Sequence, residues 1–153
     1  MTAPRSGARR TLAELSVPSE PGNERRAMEE VAGAVEGLGL PDRTLERLKT
    51  AVAEATMNAM EHGNHYHAEL PVIIEVSASD AELSVKITDE GSGPAAFDSE
   101  TPDLEAKLEG VQTPRGWGLF LIKSMVDEMN VTGDEHHHTV ELILHLDERE
   151  GGR

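Results

Sequence analysis

Apolar residues recur three or four positions apart in two segments of the first half of the chain, which is the spacing of one helix face. The first helix is predicted from Asn23 to about Leu38, before Gly39 and Pro41. The second is predicted from about Asp42 to the stop at His62-Gly63-Asn64, with an apolar stripe of Leu45, Leu48, Val52, Ala55 and Ala59. The two helices are expected to form one helical layer.

Other segments alternate apolar and polar residues, the pattern of strands with one buried face. They are Thr11–Val17, Val72–Ala78, Leu83–Asp89 and a final strand that carries Val140, Leu142, Leu144 and Leu146. The short polar turn between the second and third segments predicts a β-hairpin. Asp89 keeps the phase of the apolar residues before it, so its carboxylate is expected on the core-facing side, where it needs a partner.

A long segment separates the hairpin from the last helix. Residues 91–115 are rich in Gly, Pro, Ser and acidic residues, with one helical turn expected at Leu104–Leu108, and they predict a mobile lid at Pro94–Pro114. Gly116 is expected to open a helix with Leu119, Ile122, Val126 and Met129 on one side. This order of elements predicts an α+β two-layer sandwich with helices on one face of the sheet.

The length, charge and cysteine content of the chain exclude several classes of function. The 153 residues suit one domain at 11–147, between a flexible basic tail at 1–10 and a disordered tail at 148–153. A formal net charge of -15 would repel nucleic acid and anionic membranes. The absence of cysteine excludes thiol chemistry and disulfides and fits a cytoplasmic location. No apolar stretch follows the first arginines, so neither a signal peptide nor a membrane anchor is expected.

The first polar motif lies on the second helix. Glu54, Asn58 and His62 are four residues apart, so on an α-helix their side chains share one flank beside the apolar stripe. Such a flank could line a polar site beneath a ligand. The alternative is an ordinary solvated helix edge.

The second motif, Asp89-Glu90-Gly91-Ser92-Gly93, directly follows a strand. Gly91 and Gly93 permit a close approach of backbone and ligand, and Asp89 could accept a hydrogen bond from the exocyclic amine of a purine. The alternative is a polar turn that closes the strand.

The third motif runs from Arg115 through Gly116, Trp117, Gly118, Leu119 and Phe120 into a helix. Free N–H groups at a helix start, together with the positive charge of Arg115, suit an anion such as phosphate. A simple loop-to-helix turn is the alternative.

Two histidine clusters, His62-x2-His65-x-His67 and the run His136–His138, could in principle bind a metal ion. Three adjacent residues cannot all point one way on a strand. Solvated loops are therefore the expectation for both clusters.

Taken in order along the chain, the three motifs resemble those of the Bergerat-fold ATPases, and most closely the small anti-sigma regulatory factors that are serine-protein kinases. Residues 54–63 are similar to the N-box of that family, residues 89–93 to its first glycine box and residues 115–129 to its second. The resemblance implies a mixed β-sheet covered on one face by helices, with ATP between the helical layer and the lid.

The resemblance also implies roles for the residues of the motifs. Asn58 would bind Mg²⁺, and Glu54 would act as the catalytic base. His62 would belong to the same nucleotide-binding segment, and Asp89 would hold the adenine amine beside Gly91 and Gly93. The phosphates would lie at the helix start, on Gly116, Trp117, Gly118, Leu119 and Phe120, with Arg115 as the candidate catalytic cation.

The function implied is an anti-sigma factor with ATP-dependent serine/threonine kinase activity. Such a protein sequesters a sigma factor, phosphorylates an anti-sigma antagonist and forms a homodimer. One alternative is an ATP-binding partner switch without significant kinase activity, such as a phosphatase activator. A second, the catalytic module of a histidine kinase, is disfavoured because the chain leaves no room for a dimerisation helix pair.

Overall fold

The computed structural model describes residues 9–91 and 114–146, with the backbone alone at 114–118. The expected lid, its helical turn and the two chain ends lie outside these ranges, as does Gly93. Among the helices of these two ranges, none has the length and hydrophobicity of a membrane-spanning segment.

Five strands form one sheet in the order β1-β2-β3-β5-β4, and all four pairings are antiparallel. The strands are β1 Arg10–Val17, β2 Val72–Ala78, β3 Glu82–Asp89, β4 Glu128–Gly133 and β5 His138–His145. Short turns join β2 to β3 and β4 to β5, and only antiparallel neighbours can be joined in this way. The mixed sheet that was expected is therefore wrong for the described strands.

Three α-helices pack on one face of this sheet: α1 Asn23–Ala34, α2 Asp42–Asn58 and α3 Pro114–Met125. A 3-10 turn at Glu36–Leu38 follows α1, and a π-helical turn at Ala59–Gly63 continues α2. The layer of α1 and α2 and the α+β sandwich are confirmed.

The core lies between the helices and the alternate residues of the central strands. The buried residues on the helix side are Ala27, Val31, Leu48, Val52 and Met60, and those on the sheet side include Val17, Ile74, Val76, Leu83, Val85, Ile87 and Leu142. These sets match the helical and period-two patterns of the sequence. Polar residues such as Glu75, Lys86 and Thr88 occupy the opposite face of the sheet, so only one face is apolar.

The ends of several elements differ from the sequence prediction. β1 begins at Arg10, which had been assigned to the tail. The last helix begins at Pro114, two residues before Gly116, and ends at Met125, so Val126 follows it and Met129 lies on β4. A proline is favourable in the first turn of a helix because its missing N–H has no partner there. After Met125 the backbone N–H of Asp127 donates to the Ile143 carbonyl oxygen at 3.0 Å, so the chain pairs with β5.

Candidate functional site

Asp89 is the last residue of β3 and faces the core, with 6% of its surface exposed. Its Oδ1 accepts a hydrogen bond from the backbone N–H of Gly91 at 2.7 Å. Nδ1 of His138, the residue opposite it on β5, lies 3.4 Å from the same oxygen. The expectation that a core-facing carboxylate has partners is confirmed.

Two glycines surround this carboxylate with bare backbone. A Cβ placed on Gly63 would lie 2.2 Å from Cγ of Asp89 and 2.4 Å from its Oδ2. A Cβ on Gly91 would lie 2.9 Å from Oδ1 of Asp89 and 2.8 Å from Nδ1 of His138. No side chain fits at these distances, so Gly63 and Gly91 are required for the position that Asp89 occupies.

Asn64 connects the end of the π-helical turn to three other segments. Its fully buried side chain donates from Nδ2 to Oγ of Ser19 at 3.0 Å and to the carbonyl oxygens of Leu70 and Pro71 at 2.9 and 3.2 Å. Its Oδ1 accepts from the backbone N–H of Glu90 at 2.8 Å. Asn64 therefore holds the backbone immediately after Asp89.

Glu54 and Asn58 are half-buried neighbours on α2, one helical turn apart. Nδ2 of Asn58 is buried, and it makes no hydrogen bond with the described residues. Rotating the amide by half a turn places Oδ1 at the same position, because the two ends of an amide have nearly the same shape. A buried amide with an unused polar end fits an oxygen ligand for a hard cation such as Mg²⁺.

His62 lies in the π-helical turn that continues α2. The π-helical turn begins directly after Asn58 and changes the rotation per residue. Nε2 of His62 lies 3.7 Å from Oε1 of the exposed Glu61. Glu54, Asn58 and His62 are all half-buried, and the flank that they share stays a prediction.

The glycines of the third motif lie in the first turns of α3, and α3 packs against α2. Gly116 and Gly118 are thus helical residues, and the helix start lies on the same side of the sheet as Glu54 and Asn58. Leu119 packs against the core, and the side chain of Phe120 is exposed. Of Arg115 and Trp117 the structure describes the backbone positions alone.

The remaining histidines are exposed or half-buried. His136 and His137 lie in the β4–β5 turn, where their backbone N–H groups donate to Oδ1 of Asp134, both at 2.8 Å. The hydrogen bond from His136, followed by that from His137, lowers the pKa of Asp134 below its usual range. Within residues 9–91 and 114–146, no group of three or more His, Asp or Glu is arranged to hold a metal ion.

Three residues at this site were missed by the sequence prediction: Gly63, Asn64 and His138. His138 was expected in a solvated loop, and that expectation is wrong because it is the first residue of β5 and is buried. It shares the phase of Val140, Leu142 and Leu144, and this phase was the signal that could have identified it. Nothing local in the sequence marks Asn64 as a connecting residue.

The chain is similar to several known proteins. Residues 17–144 match the family model of the histidine kinase-like ATPase domain. The chain is 28% identical over 127 residues to the serine-protein kinase RsbW of Listeria innocua, covering 79% of each chain. It is 31% identical over 124 residues to the anti-sigma F factor of Bacillus thuringiensis, covering 81% of this chain and 82% of that protein.

Among solved structures, the RsbU and RsbW domains of a Mycobacterium tuberculosis protein superpose with a TM-score of 0.61 at 15% identity. The match covers 86% of this chain and 32% of that one, and at this identity it supports the fold alone. The family model spans the strands and helices that surround Asp89, as well as the α2 flank. The chain belongs to the histidine kinase-like ATPase domain family.

Proposed function

We propose that the protein is an anti-sigma factor with ATP-dependent serine/threonine kinase activity, which binds a sigma factor and phosphorylates an anti-sigma antagonist. The observation that carries the proposal is the buried Asp89 carboxylate, held against the bare backbone of Gly63 and Gly91. The names of the relatives, serine-protein kinase and anti-sigma F factor, support the activity and the partner.

Asp89 is suited to recognise adenine. A buried carboxylate can accept a hydrogen bond from the exocyclic amine of the base, and one held in place beforehand loses little entropy on binding. The N–H of Gly91 fixes Oδ1, and we propose that Gly91 and Gly93 shape the pocket for the base beside this carboxylate. A purine without the amine would lose this hydrogen bond.

Glu54 and Asn58 would act at the phosphate end of the nucleotide. Bound ATP and Mg²⁺ supply the phosphoryl group and the positive charge that neutralises it. Asn58 would provide an amide oxygen to Mg²⁺. Glu54 would accept the proton of the attacking serine hydroxyl while the new bond from oxygen to phosphorus forms and ADP leaves.

The start of α3 would hold the phosphates. Backbone N–H groups near Gly116 and Gly118 are favourable for anions because of the helix dipole, and Trp117, Leu119 and Phe120 continue this segment. Arg115 would add a full positive charge near the terminal phosphate. His62, within the Ala59–Gly63 turn, would belong to the same nucleotide-binding segment.

The proposal includes the setting in which the protein acts. The partners would be a sigma factor and its antagonist, and the protein would act in the cytoplasm as a homodimer. The acidic surface implied by a charge of -15 would suit the basic regions of a DNA-binding partner. Direct contact with nucleic acid forms no part of the proposed function.

The proposal is tested by measuring ATP binding and phosphoryl transfer in parallel. The protein is incubated with labelled ATP and Mg²⁺, with and without candidate antagonist proteins from the same genome. Label on an antagonist serine or threonine is expected. Binding without transfer to any candidate would favour the partner switch without kinase activity, and absence of ATP binding would refute the site.

Glu54→Gln tests the role of Glu54 as the catalytic base separately from ATP binding. This change keeps the size of the side chain but removes the carboxylate, so transfer is expected to fall by about 100-fold or more while the Kd for ATP stays within about threefold. Glu46→Gln, the same change at an exposed position of α2, is the control and should leave both quantities unchanged. Transfer at the wild-type rate in Glu54→Gln would show that Glu54 is not the base.

A further inference from the structure

His138 is the one buried residue among the seven histidines, all of which lie in the described ranges. It is 8% exposed and opens β5, directly opposite Asp89 in the β3–β5 register. Its Nδ1 lies 3.4 Å from Oδ1 of Asp89. The other residues of the same strand phase, such as Val140 and Leu142, are apolar core residues, so packing alone does not explain a histidine here.

A carboxylate needs more than one contact to keep a fixed orientation. The terminal torsion of an aspartate side chain has a broad energy profile, and a single hydrogen bond leaves the carboxylate free to rotate about that bond. Asp89 has the Gly91 N–H at 2.7 Å on Oδ1, the backbone of Gly63 against Oδ2, and the ring of His138 on the side of β5. Together these contacts hold the carboxylate from three directions.

We propose that His138 is a positioning residue that holds the Asp89 carboxylate in the orientation that selects a 6-amino purine. This inference rests on the proposed function, because it assigns a task to Asp89 as the acceptor for the base. His138 acts through Asp89: its Nδ1 lies 3.4 Å from the oxygen that accepts from the Gly91 N–H, and in this proposal Nδ1 carries the proton and donates to that oxygen. Selectivity for adenine over purines that lack the amine is the property that it controls.

The location of His138 separates it from His136 and His137 and argues against a metal site formed by the three adjacent histidines. His136 and His137 are exposed and are held through their backbone by Asp134, whereas His138 faces the other way, into the core. Among the described residues no third ligand completes a metal site with His138 and Asp89. The pair is therefore assigned to the orientation of the carboxylate.

Two substitutions at His138 test separately whether its N–H donor or its packing volume is required. His138→Asn keeps an N–H donor near Oδ1 of Asp89, and His138→Leu fills the same space without a donor. His137→Ala, at the exposed neighbour, is the control. The probes are ATP and inosine 5′-triphosphate, which carries an oxygen in place of the 6-amino group, and the Kd of each is measured in the presence of Mg²⁺.

The wild-type protein is expected to prefer ATP. In His138→Leu the affinity for ATP should fall by about 10-fold while the affinity for inosine triphosphate changes by less than about threefold, so that the preference is lost. His138→Asn should retain most of the preference, and His137→Ala all of it. Thermal unfolding of each variant, measured without nucleotide, establishes that the variants are folded.

Equal losses of affinity for both nucleotides in His138→Leu would show a merely structural role and overturn the inference. An unchanged preference in that variant would overturn it as well. Asp89→Asn distinguishes these results from failure of the proposed function. If the wild-type protein binds neither nucleotide, or if Asp89→Asn keeps the wild-type preference, the assignment of Asp89 to the base is itself wrong.

Discussion

Replacing Gly63 by alanine adds one methyl group at the most crowded point of the site. The new Cβ would lie 2.2 Å from Cγ of Asp89 and 2.4 and 2.6 Å from its two oxygens. The backbone at Gly63 does not have a positive φ, so alanine is compatible with its conformation. The perturbation therefore acts through the contact with Asp89, which must move.

The expected cost follows from what Asp89 loses when it moves. Its hydrogen bond from the Gly91 N–H, 2.7 Å long, and its contact with His138 would both be disturbed. A hydrogen bond to a charged group contributes about 1.5–3 kcal/mol, so misplacing the carboxylate should weaken ATP binding roughly 10- to 100-fold. Overpacking in the folded state should lower the free energy of unfolding by about 1–3 kcal/mol.

Gly33→Ala provides a matched control. Gly33 is an exposed residue of α1, and a Cβ there meets no atom within 4 Å. The same change at that position should leave ATP binding unaltered and stabilise the protein by up to about 1 kcal/mol, because alanine favours helix. ATP binding is measured by titration calorimetry and stability by urea unfolding.

A double-mutant cycle tests whether Gly63→Ala acts through the carboxylate of Asp89. In an Asp89→Ala background the carboxylate is absent, so Gly63→Ala should lower the free energy of unfolding by much less than it does in the wild-type protein. Full retention of ATP affinity in Gly63→Ala would refute the reasoning. An equal loss of stability in both backgrounds would refute it too.

Two further predictions concern buried polar groups. Asn64→Ala should lower the free energy of unfolding by about 2–4 kcal/mol, because it leaves the Glu90 N–H and the carbonyl oxygens of Leu70 and Pro71 without their partner. Urea unfolding measures this loss, with Asn130→Ala on the exposed side of β4 as the control, and a loss below about 1 kcal/mol would contradict the prediction. Thr56→Val should raise the free energy of unfolding by up to about 1 kcal/mol. The buried Oγ1 makes no hydrogen bond with the described residues, and valine removes the cost of burying it. If the valine variant is instead less stable in the same assay, the hydroxyl has a hydrogen-bond partner in solution and the prediction is wrong.

The sequence predicted the parts of the fold that depend on local periodicity. The phase of Leu83, Val85 and Ile87 placed Asp89 on the buried face of β3, and the structure confirms this position. The hairpin of β2 and β3 was predicted to within one residue for the same reason. Hydrophobic patterns of period two and of 3.6 are each sufficient to assign one face of an element.

The parts that the sequence did not predict depend on contacts between distant segments. Val126 and Met129 fit the helical spacing of α3, but pairing with β5 places Met129 on a strand. Ala59, which continues the apolar stripe of α2, is buried within the π-helical turn, so periodicity does not reveal the turn. Asn64 acts through partners on the β1–α1 connection and next to β3, which no local pattern encodes.

The Ala59–Gly63 turn links the two ends of the proposed nucleotide site. Asn58, the last residue of α2, lies immediately before this turn, and Gly63 at its end touches the carboxylate of Asp89. The rotation of the turn therefore sets how the residue proposed for Mg²⁺ is placed relative to the residue proposed for adenine. Asn64, the next residue, fixes the backbone after Asp89. A substitution within residues 59–64 would therefore affect both the Mg²⁺ end and the adenine end of the proposed site without contacting the phosphates.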